Sequence, residues 1–248
     1  MSLKPFLFIS FLGIVLSSPS VTHAQNCNIE DRPCILKNIE TEAAKIENTS
    51  WRDQTYRELA KTWAFEGNVD AALAVTDKIE TPDTVALTIR GIGMASADLK
   101  LPTESYAEIF AKLRSKAETI EHPPSYAIAL TYIAMAQAFA GDNDGAWKTA
   151  SEMENDALRH KAYGETAEIQ AETGDSNAAM KSIGFIDSLA FRNKAYATVS
   201  KILANRDDFA AALIAAGKIE NAYKKAKAMQ YVLDRQKPRD VKKKTTNK

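Results

Sequence analysis

Few side chains in this 248-residue sequence combine the types and the spacing that chemistry requires. Beyond the N-terminal segment there are two histidines, His122 and His160, and neither stands in a His-x3-His pattern or beside a cysteine or a carboxylate pair. A zinc-type ligand set needs such neighbours. Aspartate and glutamate are plentiful, but they recur at regular intervals, which is the pattern of solvated faces rather than of an acid–base pair. No Gly-x-Ser-x-Gly elbow occurs. Gly91-Ile92-Gly93 lies inside a helical stretch and lacks the preceding strand that a dinucleotide loop needs. Asn48-Thr49-Ser50 fits a glycosylation sequon, which has meaning only in a eukaryotic secretory pathway. The residues therefore predict no catalytic group, no metal site and no cofactor.

The reactive chemistry that remains is thiol pairing. Cys27 and Cys34 are the only cysteines. Seven residues of helix would hold them roughly 10 Å apart, beyond disulfide reach. A bridge thus requires a non-helical stretch, and Asp31-Arg32-Pro33 supplies a turn. The pair is expected to be oxidised and to pin the start of the chain. That expectation agrees with residues 1–24, where Lys4, an apolar run from Pro5 to Leu16 and the small-residue end Thr22-His23-Ala24 have the layout of a secretory signal peptide. The apolar run is shorter than the roughly 20 residues a membrane span needs. A periplasmic or secreted location follows, with no stable membrane insertion after cleavage.

The elements that must position any site are announced by a recurring tripeptide. Ile46-Glu47-Asn48, Ile79-Glu80-Thr81, Ile120-Glu121-His122, Met153-Glu154-Asn155, Ile186-Asp187-Ser188 and Ile219-Glu220-Asn221 follow one another at 33, 41, 33, 33 and 33 residues. A fixed period of this size marks stacked supersecondary units. Ten residues after each mark stands Tyr56, Ile89, Leu130, Tyr163, Tyr196 or Met229. Small residues follow at helical spacing, Ala60, Ala134, Ala167 and Ser200, then Ala64, Ala138, Ala171 and Ala204. A turn comes next: Gly67-Asn68, Gly141-Asp142, Gly174-Asp175 or Asp207-Asp208. Glycine suits the left-handed end of one helix, and Asn or Asp caps the next. Each unit is thus a helix A of about 16 residues and a helix B of about 11, lengths ordinary for globular helices. The mark's isoleucine closes helix B, and its third residue opens the next helix A. A basic residue six beyond the isoleucine (Arg52, Arg159, Arg192, Lys225) reads as a contact between units.

One interval is eight residues longer. There Leu99-Lys100-Leu101-Pro102-Thr103 replaces the glycine turn, and helix B is expected from Glu104 to Ile120. Charge is also uneven. From Lys224 to Lys248 there are ten basic and two acidic residues on an otherwise acidic body. Residues 237–248 carry too little apolar surface to fold and read as a basic tail, solvated or in weak electrostatic contact with an anionic surface.

This pattern resembles the tetratricopeptide repeat. Gly141-Asp142-Asn143-Asp144-Gly145-Ala146 and Gly174-Asp175-Ser176-Asn177-Ala178-Ala179 carry the likeness, with Ala60, Ala134 and Ala167 at the family's small position in helix A. The period of 33 and the lack of a consistent helix-A tryptophan depart from it. The resemblance implies an all-α, right-handed α-solenoid of about five antiparallel hairpins over 46–236, with capping helices and a cap segment at 25–45. It also implies a concave face lined by helix A. On that face it places Arg57, Lys61, Arg90, Thr131, Met135, Lys161, Glu168, Lys194 and Lys201. Basic residues outnumber acidic ones in this set, which would suit an acidic peptide or a terminal carboxylate. The expected function is a non-enzymatic protein or peptide scaffold of the cell envelope, with no nucleic-acid partner. The rival readings are a helical-repeat enzyme, a glycan-binding module and a secreted effector acting on a host.

Overall fold

A computed structural model describes residues 27–236. The expected signal peptide, 1–24, and the expected basic tail, 237–248, lie outside the described residues. Those residues form twelve helices and no strand: α1 (Arg32–Ala43), α2 (Thr49–Phe65), α3 (Val69–Thr76), α4 (Pro82–Asp98), α5 (Thr103–Glu118), α6 (Pro123–Phe139), α7 (Asn143–Ser151), α8 (Asp156–Thr173), α9 (Ser176–Gly184), α10 (Leu189–Asn205), α11 (Phe209–Gly217) and α12 (Ala222–Arg235). The fold is all-α. The long helices α2, α4, α6, α8, α10 and α12 pack side by side in chain order, and each intervening helix packs on the long helix before it and the one after.

The caps explain where the helices begin. Asn48, Asn155 and Asn221 occupy the N-cap of α2, α8 and α12 and accept from the backbone N–H three residues on. Thr81, His122 and Ser188 hold the same position without a side-chain cap bond. Prolines in the first turn of α4 and α6 bring the required φ without sacrificing a helical N–H. Asn68, Asp142, Asp175 and Asp208 cap α3, α7, α9 and α11 in the same way. Gly67, Gly141 and Gly174 adopt positive φ before them, and Asp207 takes that strained place in the fourth turn. Four of the helix-B segments, α3, α7, α9 and α11, are eight or nine residues long, shorter than expected. The chain leaves the α-helix before the mark because its last turn tightens to i→i−3 bonds, such as Ile79 N–H to Thr76 O.

Small side chains let the long helices meet. Ala60, Ala134, Ala167 and Ser200 are fully buried, and Gly93 holds their position in α4. The mark's hydrophobic residues, Ile79, Met153, Ile186 and Ile219, are buried at the helix-B ends. The joints between units also carry a polar lock. Arg52, Arg159 and Arg192 each donate to the carbonyl of the mark six residues earlier, Ile46, Met153 and Ile186, at 3.3, 2.8 and 3.1 Å. Arg52 and Arg192 also reach the acid of the following mark, Glu80 and Glu220, at 2.6 and 3.1 Å. One residue further on, Asp53 is 1% exposed and accepts from the Glu80 and Thr81 amides at 3.2 and 2.9 Å. Asn193 accepts from the Glu220 amide at 2.8 Å. These acceptors hold the part-buried backbone of the turn between units.

The long interval becomes α5. Lys100 takes the left-handed conformation in place of glycine. The Tyr106 hydroxyl closes the turn, donating to Ala97 O at 3.1 Å and accepting from Leu101 N–H at 2.9 Å. The added turns reach both neighbours through Lys112–Asp70, Lys116–Asp77 and Arg114–Glu152 ion pairs at 2.8, 2.5 and 2.7 Å. At the start of the described chain, Cys27 and Cys34 are disulfide-bonded with Cα atoms 5.7 Å apart. Asp31 caps α1 between them, accepting from the Cys34 amide at 3.0 Å.

Two substitutions test these joints. A Cβ at Gly93 would stand 2.8 Å from Ala136 Cβ and 3.3 Å from Leu113 Cδ1. Gly93→Ala is expected to lower stability by about 1–3 kcal/mol through overpacking, despite a helix-propensity gain of about 1 kcal/mol. Asp53→Ala removes the acceptor of the part-buried Glu80 and Thr81 amides and should cost about 1–2 kcal/mol, while Asp53→Asn keeps one acceptor and should cost less. Urea unfolding monitored by circular dichroism measures both.

Candidate partner-binding site

Along the row of long helices the side chains leave a cavity of about 540 Å³ walled by α4, α6, α8 and α10. Arg90 comes from α4, Tyr132 and Met135 from α6, His160 to Glu172 from α8, and Phe191, Lys194 and Ala195 from α10. A second cavity of about 460 Å³ adjoins it, walled by Arg57, Glu58, Lys61 and Phe65 of α2, by α4 and by Phe139 of α6. Arg90 lines both. Its guanidinium lies over the Tyr132 ring, 5.3 Å from the centroid, an arrangement that holds the cation in place without a carboxylate.

Helix α8 is the floor of the first cavity. Glu165, Glu168 and Glu172 fall three and four residues apart and so share one face. Lys161 pairs with Glu165 at 3.5 Å. Glu168 and Glu172 form no ion pair or hydrogen bond among the described residues. Burial raises the Glu168 carboxyl above the ordinary carboxylate range, the Glu165 and Glu172 charges push it further up, and Lys194 pulls part of the way back. Gly164 stands in the middle of this helix, where it is less favourable than alanine by about 1 kcal/mol. A Cβ added there would meet nothing within 4 Å.

His160 occupies the position that Asp53 and Asn193 hold in their own units, seven residues after the mark. Those two accept from the backbone of the following unit, but the His160 side chain makes no such bond. It is 8% exposed, its Nε2 is buried without a partner, and its ring lies 5.8 Å from that of Phe191. A buried polar atom left unpaired costs about 1–3 kcal/mol, so it calls for an explanation.

Of the residues that the sequence places on this face, Arg90, Met135, Lys161, Glu168 and Lys194 come together in the first cavity. Arg57 and Lys61 wall the second, with Arg57 paired to Glu58 at 2.6 Å. Thr131 does not reach the surface; it is 2% exposed and its hydroxyl donates to Ala127 O at 3.1 Å. Lys201 lies over the Tyr231 ring, outside both cavities. The basic excess does not carry into the first cavity, where Glu165 and Glu172 join Glu168 and balance Arg90, Lys161 and Lys194. Sequence reasoning missed His160, Gly164 and Phe191. The available signal was the comparison of equivalent positions, where a histidine stands against Asp53, Ala86, Ala127 and Asn193, and a glycine against Arg57, Arg90, Thr131 and Ala197.

Elsewhere, His122, Ser125 and Asp83 are joined in a chain that superficially resembles a hydrolase triad. Here the serine is in the middle: Ser125 Oγ donates to Asp83 Oδ1 and is 2.7 Å from His122 Nδ1. Ser125 is fully buried, and no imidazole stands between its hydroxyl and the carboxylate to act as base. The cluster ties α6 to α4. Among the described residues no group of three His, Cys, Asp or Glu could hold a metal ion, and no helix is long and apolar enough to cross a membrane.

No protein-family model matches the sequence, so the resemblance to tetratricopeptide repeats rests on the residues that carry it. No curated protein matches it either. Among solved structures, the crystal structure of Ton1535 from Thermococcus onnurineus NA1 matches at 18% identity with a TM-score of 0.40. The match covers 72% of this chain and 57% of that one, so the chain spans little more than half the length of that protein. A likeness of this size carries no argument about the site.

The Glu168 environment has a measurable consequence. An acid whose folded-state pKa is raised binds its proton more tightly when folded, so its contribution is full below the unfolded pKa of about 4.3 and is lost as pH rises through the folded value. Glu168→Gln is therefore expected to raise the melting temperature at pH 7. The advantage should shrink toward zero below about pH 4, as measured by thermal melts across pH.

Proposed function

We propose that the protein is an exported, non-enzymatic scaffold that holds a protein or peptide partner along the face made by its long helices. In this reading α2 to α11 form five helical hairpins wound as a right-handed solenoid between α1 and α12, and the long helices line its concave side. The observation that carries the reading is the continuity of the groove. Arg90 is a wall of both cavities, so the two adjoin and together span α2 to α10 across four unit boundaries. A groove of that length accommodates an extended chain, which helical repeats bind through many shallow contacts rather than one enclosed pocket. An oxidised Cys27–Cys34 pair suits an oxidising space, in agreement with periplasmic or secreted residence.

Photo-crosslinking from chosen positions tests the proposal. A photoreactive residue at Lys61 or Lys194, inside the groove, is expected to capture one and the same partner from the envelope fraction of the source cell. A photoreactive residue at exposed Glu108, on α5, should capture none. Arg90→Glu should reduce the groove adduct at least fivefold. Adducts from Glu108 equal to those from the groove, or groove adducts indifferent to Arg90→Glu, would overturn the reading.

A further inference from the structure

The His160 cavity has a chemistry of its own, and this inference rests on the reading that the long-helix face holds a partner. We propose that the cavity receives the guanidinium end of an arginine side chain carried by that partner. Three independent features converge on it. Gly164 leaves open space above the middle of α8, and nothing within 4 Å accounts for the missing methyl group. The buried Nε2 of His160 has no partner in the protein. Glu168 has no ion pair or hydrogen bond among the described residues, and Lys194 offsets its charge only in part.

Guanidinium answers all three. It is planar, carries five N–H donors and accepts nothing. It can donate to the Glu168 carboxylate and, with the imidazole proton on Nδ1 and the ring turned to bring the buried Nε2 to the cavity, to His160 Nε2. Its flat face suits the Phe191 ring, which is 37% exposed and stands against His160. An anion would find Lys161 and Lys194 at the rim, but the floor would set it against Glu168. The remaining cation of the wall, Arg90, is held over Tyr132. A cavity of about 540 Å³ leaves room for the aliphatic stem above Gly164.

The test is a titration of the mature protein with the blocked tripeptide N-acetyl-Ala-Arg-Ala-amide, followed by NMR at the Gly164 amide and the His160 ring. A neutral control places norleucine at the centre, and free arginine supplies the small-molecule arm. Saturable shifts at both reporters are expected with the arginine peptide and not with the norleucine peptide. Glu168→Gln should weaken binding at least tenfold while the protein melts no lower. Gly164→Leu should abolish binding by filling the space, again without loss of the fold. The proposal falls if the arginine and norleucine peptides act alike, if neither moves the two reporters, or if both variants bind like the parent. Tighter binding of free arginine than of the peptide would assign the cavity to a small molecule and overturn the partner's role. If groove crosslinking persists while the arginine peptide fails, the scaffold reading survives and only this proposal is lost.

Discussion

Close approach of the long helices is the constraint on which the rest depends. At one position in each unit the chain carries Ala60, Gly93, Ala134, Ala167 or Ser200, and at each of them side-chain volume is nearly absent. Interhelical distance is set by the side chains at the contact. With methyl groups or less between backbones, the long helices stack as neighbours, and the bulk needed to fill the core comes from elsewhere: the rings and branched chains of Tyr56, Ile89, Leu130, Tyr163 and Tyr196, and the mark residues Ile79, Met153, Ile186 and Ile219. The turns between units are pinned at the edge of this packing, each by its hydrophobic residue where Ile79, Met153, Ile186 or Ile219 is buried. Their amides and carbonyls then require the guanidinium, carboxylate and amide groups of Arg52, Asp53, Arg192 and Asn193. Packing creates the polar demand, and the polar lock in turn holds the packing in register.

The first cavity forms where this economy is interrupted. In α8 the lock residue is a histidine with an unpaired nitrogen, and a glycine opens the surface of an otherwise well-filled helix. Glu168, half-buried among like charges, adds to the same strain. Each departure lowers stability, and all three line one cavity. Perturbed groups gathered in one cavity are the physical ground for treating it as the candidate site.

Much of the fold was legible because its signals are local. The mark, the glycine turns and the Asn or Asp caps act over three to six residues, and the helices begin where those signals stand. Helix-B lengths were less legible, since the tightening of the last turn before each mark has no residue of its own. The candidate site was readable only in part. Of the nine residues that the resemblance places on the helix-A face, Arg90, Met135, Lys161, Glu168 and Lys194 share one cavity. Register alone misplaced Thr131, which sits on the buried side of α6, and Lys201, which turns toward Tyr231 of α12.

Sequence alone determined the period, the helix starts, the small-residue rows and the reach of Cys27 to Cys34, because each follows from interactions between residues close along the chain. Only the tertiary structure decided which charges meet. Arg90 and Lys194 border one cavity across more than a hundred residues of chain, and Arg114 finds Glu152 on a neighbouring unit. Such meetings depend on how four helices cross and how far each is displaced along its neighbour. Small errors in each crossing accumulate over several units, and no local rule of spacing contains their sum.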